Sequence, residues 1–246
     1  MFYDGLATNT IDEHLKNIYD VDVDSSNIWR WVQKYSKMAC DYLYQFPVKL
    51  SNVWIIDETM VKVNGVNHWF WDVIDQDTRF LVGTHLSRKR TLSDATILFR
   101  KCKYRAKNKP KMIFSDKMWA YHRAINRVFY SRFADKRTEH IQVKGLTKSA
   151  EKNIIERFHG SVKQRYKVMR GLKTTKSAKI ILETWGMVHY NYFKPHETLG
   201  DIPPIQKTDY KPKFSNWVEL IDEMENVLLD NPFVCNVPKW GDLEGL

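Results

Sequence analysis

Several things are scarce in this sequence, and each scarcity narrows the reading. Its three cysteines, Cys40, Cys102 and Cys235, are isolated and form no CxxC pair. That excludes a disulfide framework and a structural zinc site, and leaves ordinary buried or partly buried thiols. No apolar run approaches the ~20 residues needed to span a bilayer, and the N-terminus lacks the apolar stretch of a signal peptide; a cytoplasmic protein is expected. Internal repeats and low-complexity segments are also missing. Acidic residues are rare in one region only. Between Arg88 and Lys173 there are 25 Lys and Arg against 6 Asp and Glu, whereas residues 1–50 hold 5 against 7 and residues 207–246 hold 4 against 8. The formal charge of +10 therefore belongs to the middle of the chain. A positive field this dense suits a polyanion, with a merely solvated basic surface as the plainer alternative.

What is present is enough apolar material, 43% of 246 residues, for a full core. The run Val53 to Thr59 is continuous rather than alternating, which predicts a strand buried on both faces in the middle of a sheet. It ends in Asp57, and a carboxylate there must be paired, hydrogen-bonded or bound to a cation. Lys111 to Asp116 repeats the design. Side by side, the two strands would bring Asp57 and Asp116 to one sheet edge, where together they could hold a divalent metal; either Asp alone would more simply cap a turn.

Asn64-Gly65 marks a hairpin, and Trp69–Ile74 and Arg79–Thr84 complete an antiparallel meander in which Trp69 and Trp71 are core residues. A helix over 93–107, the Asp116 strand, a helix over 118–130 and a strand over 140–143 follow, so the class is α/β with a mixed five-stranded sheet flanked by helices. The helix over 149–170 buries Ile155, Phe158, Val162, Tyr166 and Met169 and turns Asn153, Glu156, Gly160, Lys163 and Lys167 to another face. The next helix, 177–193, packs through Ile181, Trp185, Val188 and Tyr192 and stops at Lys194-Pro195. An acidic helix over 217–229 ends the pattern. At the N-terminus, Ile11, Leu15 and Ile18 predict one short helix. Ser25 or Ser26 caps a second helix running to about Met38, with Ile28, Val32 and Tyr35 inward and Asn27, Arg30 and Lys34 outward. These residues fit a helix-turn-helix and a plain helical hairpin about equally.

The stretches VWIIDETMVKVNG, WDVIDQDTRFLVGTHLSRKR, IFSDKMWAY, EKNIIERFHGSVKQRYKVMRGLKT and YNYFKPHETLG, in this order over roughly residues 20–205, resemble the DDE transposases of bacterial and archaeal insertion sequences, specifically the insertion-sequence family six group. The resemblance implies an RNase H-like, retroviral-integrase type of catalytic domain over 50–205. A partial helix-turn-helix DNA-binding unit would occupy 1–45 and an acidic helical tail 206–246. It also implies catalytic, metal-binding carboxylates at Asp57, Asp116 and Glu156. The expected chemistry is Mg²⁺-dependent (or Mn²⁺-dependent) cleavage of double-stranded DNA and strand transfer, by at least a homodimer, in the cytoplasm at a prokaryotic nucleoid. Asn27, Arg30 and Lys34 would read DNA, and Arg88, Lys89, Arg90, Lys163, Arg165 and Lys167 would neutralise phosphates.

Three departures accompany the match. The leading helix of the N-terminal unit is shortened or missing, the Asp116-to-Glu156 interval is long, with the excess around Lys144 to Lys148, and Lys194 stands where Arg is frequent. The alternative within the family is an inactive DNA-binding remnant. A tyrosine recombinase, suggested by 12 Tyr and by His122-Arg123, would need a cluster of positioned Arg and His partners that the sequence does not assemble.

Overall fold

The structure is a computed structural model that describes residue 2 and residues 5–143, 150–169 and 171–230. Cys235 and the loop around Lys144 to Lys148 lie outside the described residues. A five-stranded sheet organises everything else. Strands β1 (Val53–Val63), β2 (Val66–Asp75) and β3 (Leu81–Ser87) form the meander, and β4 (Met112–Ser115) and β5 (Glu139–Gln142) extend it on the other side of β1. The spatial order is β3-β2-β1-β4-β5, with β4 parallel to β1 and β5 parallel to β4.

The central strand is buried where its apolar run lies, but it does not end at Asp57: pairing with β2 carries it on to Val63. Trp54, Ile55 and Ile56 are fully buried, covered on both faces. Beyond Glu58 the pattern changes: Thr59, Val61 and Val63 are buried while Met60 and Lys62 are exposed, the alternation of a hairpin with one wet face. Asn64 and Gly65, both at positive φ (49° and 76°), close that hairpin as a two-residue turn whose twist matches the strands. At its far end, Asp75 accepts hydrogen bonds from the amide and hydroxyl groups of Ser51 and Thr78, which ties the β2–β3 turn to the entry of β1.

Helix α3 (Leu92–Arg105) begins at a capping box between Thr91 and Asp94 and lies across the sheet. At the crossing, Gly83 leaves room for Cys102, since a Cβ on Gly83 would stand 2.7 Å from the Cys102 Sγ. Helices α4 (Trp119–Val128) and α5 (Ala150–Val168) follow β4 and β5. Helix α6 (Thr175–Lys179) then continues through a π-helical stretch (Ile180–Trp185), α7 (Gly186–Val188) and a second π-helical stretch (His189–Phe193).

This long helical rod covers the open margin of β3. Glu183 accepts from the Leu86 amide (2.7 Å), and Asn191 both accepts from the Leu81 amide and donates to its carbonyl (2.7 and 2.9 Å). An edge strand whose backbone groups are met by side chains is no longer a template for further pairing.

The N-terminal helices α1 (Thr8–Tyr19) and α2 (Ser25–Leu43) are longer or better placed than the sequence suggested. Asp24, not Ser25 or Ser26, caps α2, accepting from the Ser26 amide at 2.7 Å. Ile18 is 64% exposed, so the inner face of α1 is carried by Ile11 and Leu15 alone. The last turns of α2, with Ala39, Cys40 and Leu43, belong to the main core. Buried Arg105 clamps them there by donating to the carbonyls of Leu43 and Phe46 and to the Tyr192 hydroxyl. Helix α8 (Trp217–Asp230) adds Leu220 and Met224 to the same core. Among the described residues no helix is long and apolar enough to cross a membrane.

Candidate metal centre

The parallel pairing of β1 with β4 ends at Ile55 opposite Phe114, and two residues further along Asp57, in the middle of β1, and Asp116, just past the end of β4, come together. Open α/β sheets bind ligands outside the carboxyl ends of their parallel strands, where β4 stops and Asp116 follows. Asp57, Glu58 and Asp116 each offer a carboxylate oxygen, and the three oxygens lie within 4.8 Å of one another. All three residues are partly buried. An all-oxygen, anionic set with access to solvent suits a hard divalent cation that keeps several waters.

Each carboxylate has a different local anchor. The Asp116 Oδ1 accepts from the Met118 amide (2.9 Å), which starts α4 and fixes the carboxylate at the same time. Glu58 has one oxygen paired with the Arg90 guanidinium and the other accepting from the Tyr121 hydroxyl. Burial, with Asp116 and Asp57 nearby, holds the Tyr121 phenol well above its ordinary pKa, so it stays a donor. Arg90 lies 4.4 Å over the Trp69 ring and 3.8 Å from the Asp116 carboxylate. Glu58 thereby seats a cation beside the two aspartates. Trp69 is accordingly only half-buried, while Trp71 is in the core and donates to the Ser87 hydroxyl (2.7 Å).

Glu156 is not in this group of three. It sits exposed on α5 in a row with Asn153, Gly160, Lys163 and Lys167, all exposed as well. On the inner side of α5, Ile155 and Phe158 are buried, and His159, one turn beyond Glu156, bonds Asp72 on β2 (Nε2 to Oδ1, 2.7 Å). Asp72 is the cross-strand partner of Asp57. Burial raises the Asp72 carboxyl pKa against the pull of His159. Burial also disfavours charge on His159, but Asp72 outweighs it and holds the imidazole above its ordinary value.

The expected cationic residues divide. Arg88, Lys89, Lys163 and Lys167 are exposed, as are Asn27, Arg30 and Lys34 on α2, where Arg30 donates to Asn27 at 2.9 Å. Arg165 is turned inward. Its guanidinium lies 3.7 Å from the Phe2 ring and donates to the Leu6 carbonyl, and burial lowers its pKa to about 10; it is a packing residue, not one offered to phosphate. His122 and Arg123 are both exposed, His122 bonded to Asn126 and Arg123 lying 5.7 Å from the Trp119 ring. His196 meets the Tyr190 ring edge-on at 4.5 Å, and burial, helped by Lys194, lowers its pKa to about 4.

Sequence reasoning missed Glu58, Tyr121, Asp72 and His159. Glu58 directly follows Asp57, and nothing in a strand pattern announces that both would reach one site. Asp72 within an apolar run was the available signal for a buried, partnered carboxylate.

This geometry is that of a carboxylate-bearing, integrase-like sheet, and comparison with known proteins agrees. A DDE-domain family model matches residues 51–196, and the chain belongs to that family, the DDE transposases of insertion sequences. An uncharacterized protein of Methanocaldococcus jannaschii is 29% identical over 120 residues, 48% of this chain and 53% of the relative. The chain thus spans about half the length of the curated relative it matches. Among solved structures, a chain of the simian T-cell lymphotropic virus intasome complex superposes with a TM-score of 0.50 at 14% identity, covering 70% of this chain and 59% of that one. The HTLV-2 integrase catalytic core domain in complex with magnesium is similar at a TM-score of 0.48 and 12% identity, over 65% of this chain and 98% of that one. The mixed five-stranded sheet flanked by helices is the integrase, RNase H-like fold.

Proposed function

We propose that this protein cleaves and joins double-stranded DNA as a transposase, using Asp57, Asp116 and Glu156 to hold divalent metal. The observation that carries the proposal is the meeting of Asp57 and Asp116 just past the point where the parallel pairing of β1 and β4 stops, within a DDE-family chain. Mg²⁺ or Mn²⁺, when bound, would polarise the scissile phosphate and make the attacking oxygen a nucleophile at neutral pH.

The chain's own residues do the rest. Asp57 and Asp116 supply the fixed anionic floor. Arg90, seated by Glu58 and Tyr121, faces that floor as a positive group for a non-bridging phosphate oxygen. Glu156, on the outer row of α5, would complete the set once metal is bound, and Lys163 and Lys167 in the same row neutralise flanking phosphates. In cleavage, the oxygen of water forms a new bond to phosphorus as the bond to the 3′ oxygen breaks, and the 3′ oxygen leaves with a proton. In strand transfer that 3′-hydroxyl attacks a target phosphodiester in the same way. Asn27, Arg30 and Lys34 form a second DNA-contacting row within an N-terminal unit of residues 1–45, ahead of a catalytic unit of 50–205 and a helical tail of 206–246. Joining two DNA ends calls for two copies of the chain, acting in the cytoplasm at the nucleoid.

The position of Glu156 outside the cluster favours one other reading, a remnant that binds DNA without cutting it. A strand-transfer assay on duplexes carrying the element's ends separates the two. Wild type cleaves with Mg²⁺ or Mn²⁺ and not with EDTA. Asp57→Asn, Asp116→Asn and Glu156→Gln each lose ~10²-fold or more, the scale of removing one stabilising group from a transfer site. Full activity surviving any one substitution removes that residue from the site. Binding without cleavage by the wild type establishes the remnant.

A further inference from the structure

The buried pair Asp72–His159 has no part in the chemistry described above, yet it lies directly behind it. Asp72 is 0% exposed on β2, next to the central strand, opposite Asp57 in register. Its Oδ1 is held by the His159 Nε2 at 2.7 Å, and its Oδ2 has no hydrogen-bond partner among the described residues. A buried carboxylate satisfied through a single side chain is a costly thing to place in a core, and an apolar pair of similar size would pack there more readily. His159 stands three residues after Glu156, about one helical turn along α5.

Beside Glu156 the rest of the α5 seat is apolar; directional ties such as Ser161 accepting from Lys194 (2.8 Å) and Tyr166 donating to the Lys62 carbonyl (3.1 Å) lie further along the helix. Ile155 is fully buried, and Phe158 packs against Phe70 and Tyr190 with ring centroids 6.2 and 5.0 Å apart. Apolar contact fixes which face is buried, but it tolerates sliding along the axis. An axial shift equal to the rise of one residue displaces every side chain on the helix by ~1.5 Å, several times the ~0.5 Å within which a working constellation must be held. A short, directional bond from helix to sheet removes that freedom.

We propose that Asp72 and His159 form a latch that sets the axial position of α5 on the sheet, and so makes Glu156 a usable third ligand to metal at Asp57 and Asp116. Both are positioning residues; neither touches the reacting atoms. Asp57 and Lys163 are the charged groups that also face His159, Asp57 from β1 and Lys163 from the next turn of α5. The inference rests on the proposed role of Glu156, and its test keeps the two separable.

The test is Mn²⁺ binding to the full chain without DNA, followed by electron paramagnetic resonance, with the Mn²⁺ dependence of DNA cleavage as a second readout. Wild type, Asp57→Asn, Glu156→Gln, His159→Leu, His159→Gln and the double variant Glu156→Gln/His159→Leu are compared. The expected result is that His159→Leu weakens Mn²⁺ binding about as much as Glu156→Gln, severalfold or more, and that the double variant is no weaker than Glu156→Gln alone. His159→Gln, whose amide can still donate to Asp72, recovers most of the affinity. The half-saturating Mn²⁺ for cleavage shifts in the same order. If Glu156→Gln weakens binding while His159→Leu and His159→Gln leave it at the wild-type level, the latch is refuted and the triad stands. If Glu156→Gln itself has no effect while Asp57→Asn does, the role of Glu156 fails and the latch with it. Should His159→Leu not fold, His159→Phe and Asp72→Leu, which also remove the bond, carry the comparison, and wild-type Mn²⁺ affinity in both overturns the proposal.

Discussion

Replacing Glu183 by Gln should destabilise this protein more than any single surface change, and the structure sets the scale. Glu183 is fully buried in the first π-helical stretch, where it accepts from the Leu86 amide and from the equally buried Lys101 ammonium, each at 2.7 Å. The amide of Gln still accepts from Leu86, so that bond survives. What is lost is the charge facing Lys101. Breaking a buried pair by removing one partner costs ~3–5 kcal/mol, and at ~2–4 °C per kcal/mol for a chain of this size the melting temperature should fall by ~6–20 °C. Glu183→Leu should be worse by a further ~1–3 kcal/mol, because the Leu86 N–H is then left unmet. The double variant Lys101→Met/Glu183→Gln removes both charges and keeps the acceptor, and should return to within ~1 kcal/mol of wild type. Urea titrations followed by tryptophan fluorescence measure all three. The reasoning is refuted if Glu183→Gln costs under ~1 kcal/mol, the range of an exposed pair, or if the double variant is as unstable as the single.

Three further outcomes follow from other parts of the structure. Gly83→Ala should cost ~1–3 kcal/mol through overpacking against Cys102, and Cys102→Ala in the same chain should restore most of it; equal urea midpoints for the single and double variants would show that the Sγ contact is not the cause. His196 stays neutral in the fold, its pKa lowered to about 4 by burial and then by Lys194, against an ordinary 6.5. Its share of stability is therefore complete above pH 6.5 and is lost as pH falls toward 4. His196→Phe should make the acid limb of a stability–pH curve shallower, and an unchanged limb would clear this residue. In salt titrations of DNA binding, Arg88→Ala and Lys89→Ala should each reduce the log–log slope by ~0.9 if each meets one phosphate. Arg165→Ala, being a packing change, should lower the melting temperature and leave the slope alone.

The parts of this molecule that were legible in the sequence are those fixed by local pattern. The unbroken apolar run of β1 announced a central strand, Asn64-Gly65 announced its hairpin, and two apolar runs ending in Asp located Asp57 and Asp116 together. Parts that depend on how separate elements meet were not legible. Arg165 counts as one more cation in a basic stretch until Phe2 and Leu6 are found against it. Glu58 becomes an anchor only because Arg90 and Tyr121, 32 and 63 residues away, converge on it. The π-helical turns between Ile180 and Phe193 leave no periodic trace strong enough to separate them from an ordinary helix, although they carry the side chains that meet β3. Ile18 erred the other way, since its spacing matched a buried face that ends one turn earlier.

Glu183 and Asn191 also bear on how two copies of this chain could associate. Because these side chains already occupy the amides of Leu86 and Leu81 and the Leu81 carbonyl, a neighbouring molecule that continued the sheet along that flank would have to displace them. A symmetric pairing that leaves those bonds in place would use helix surfaces or the opposite, β5 side of the sheet.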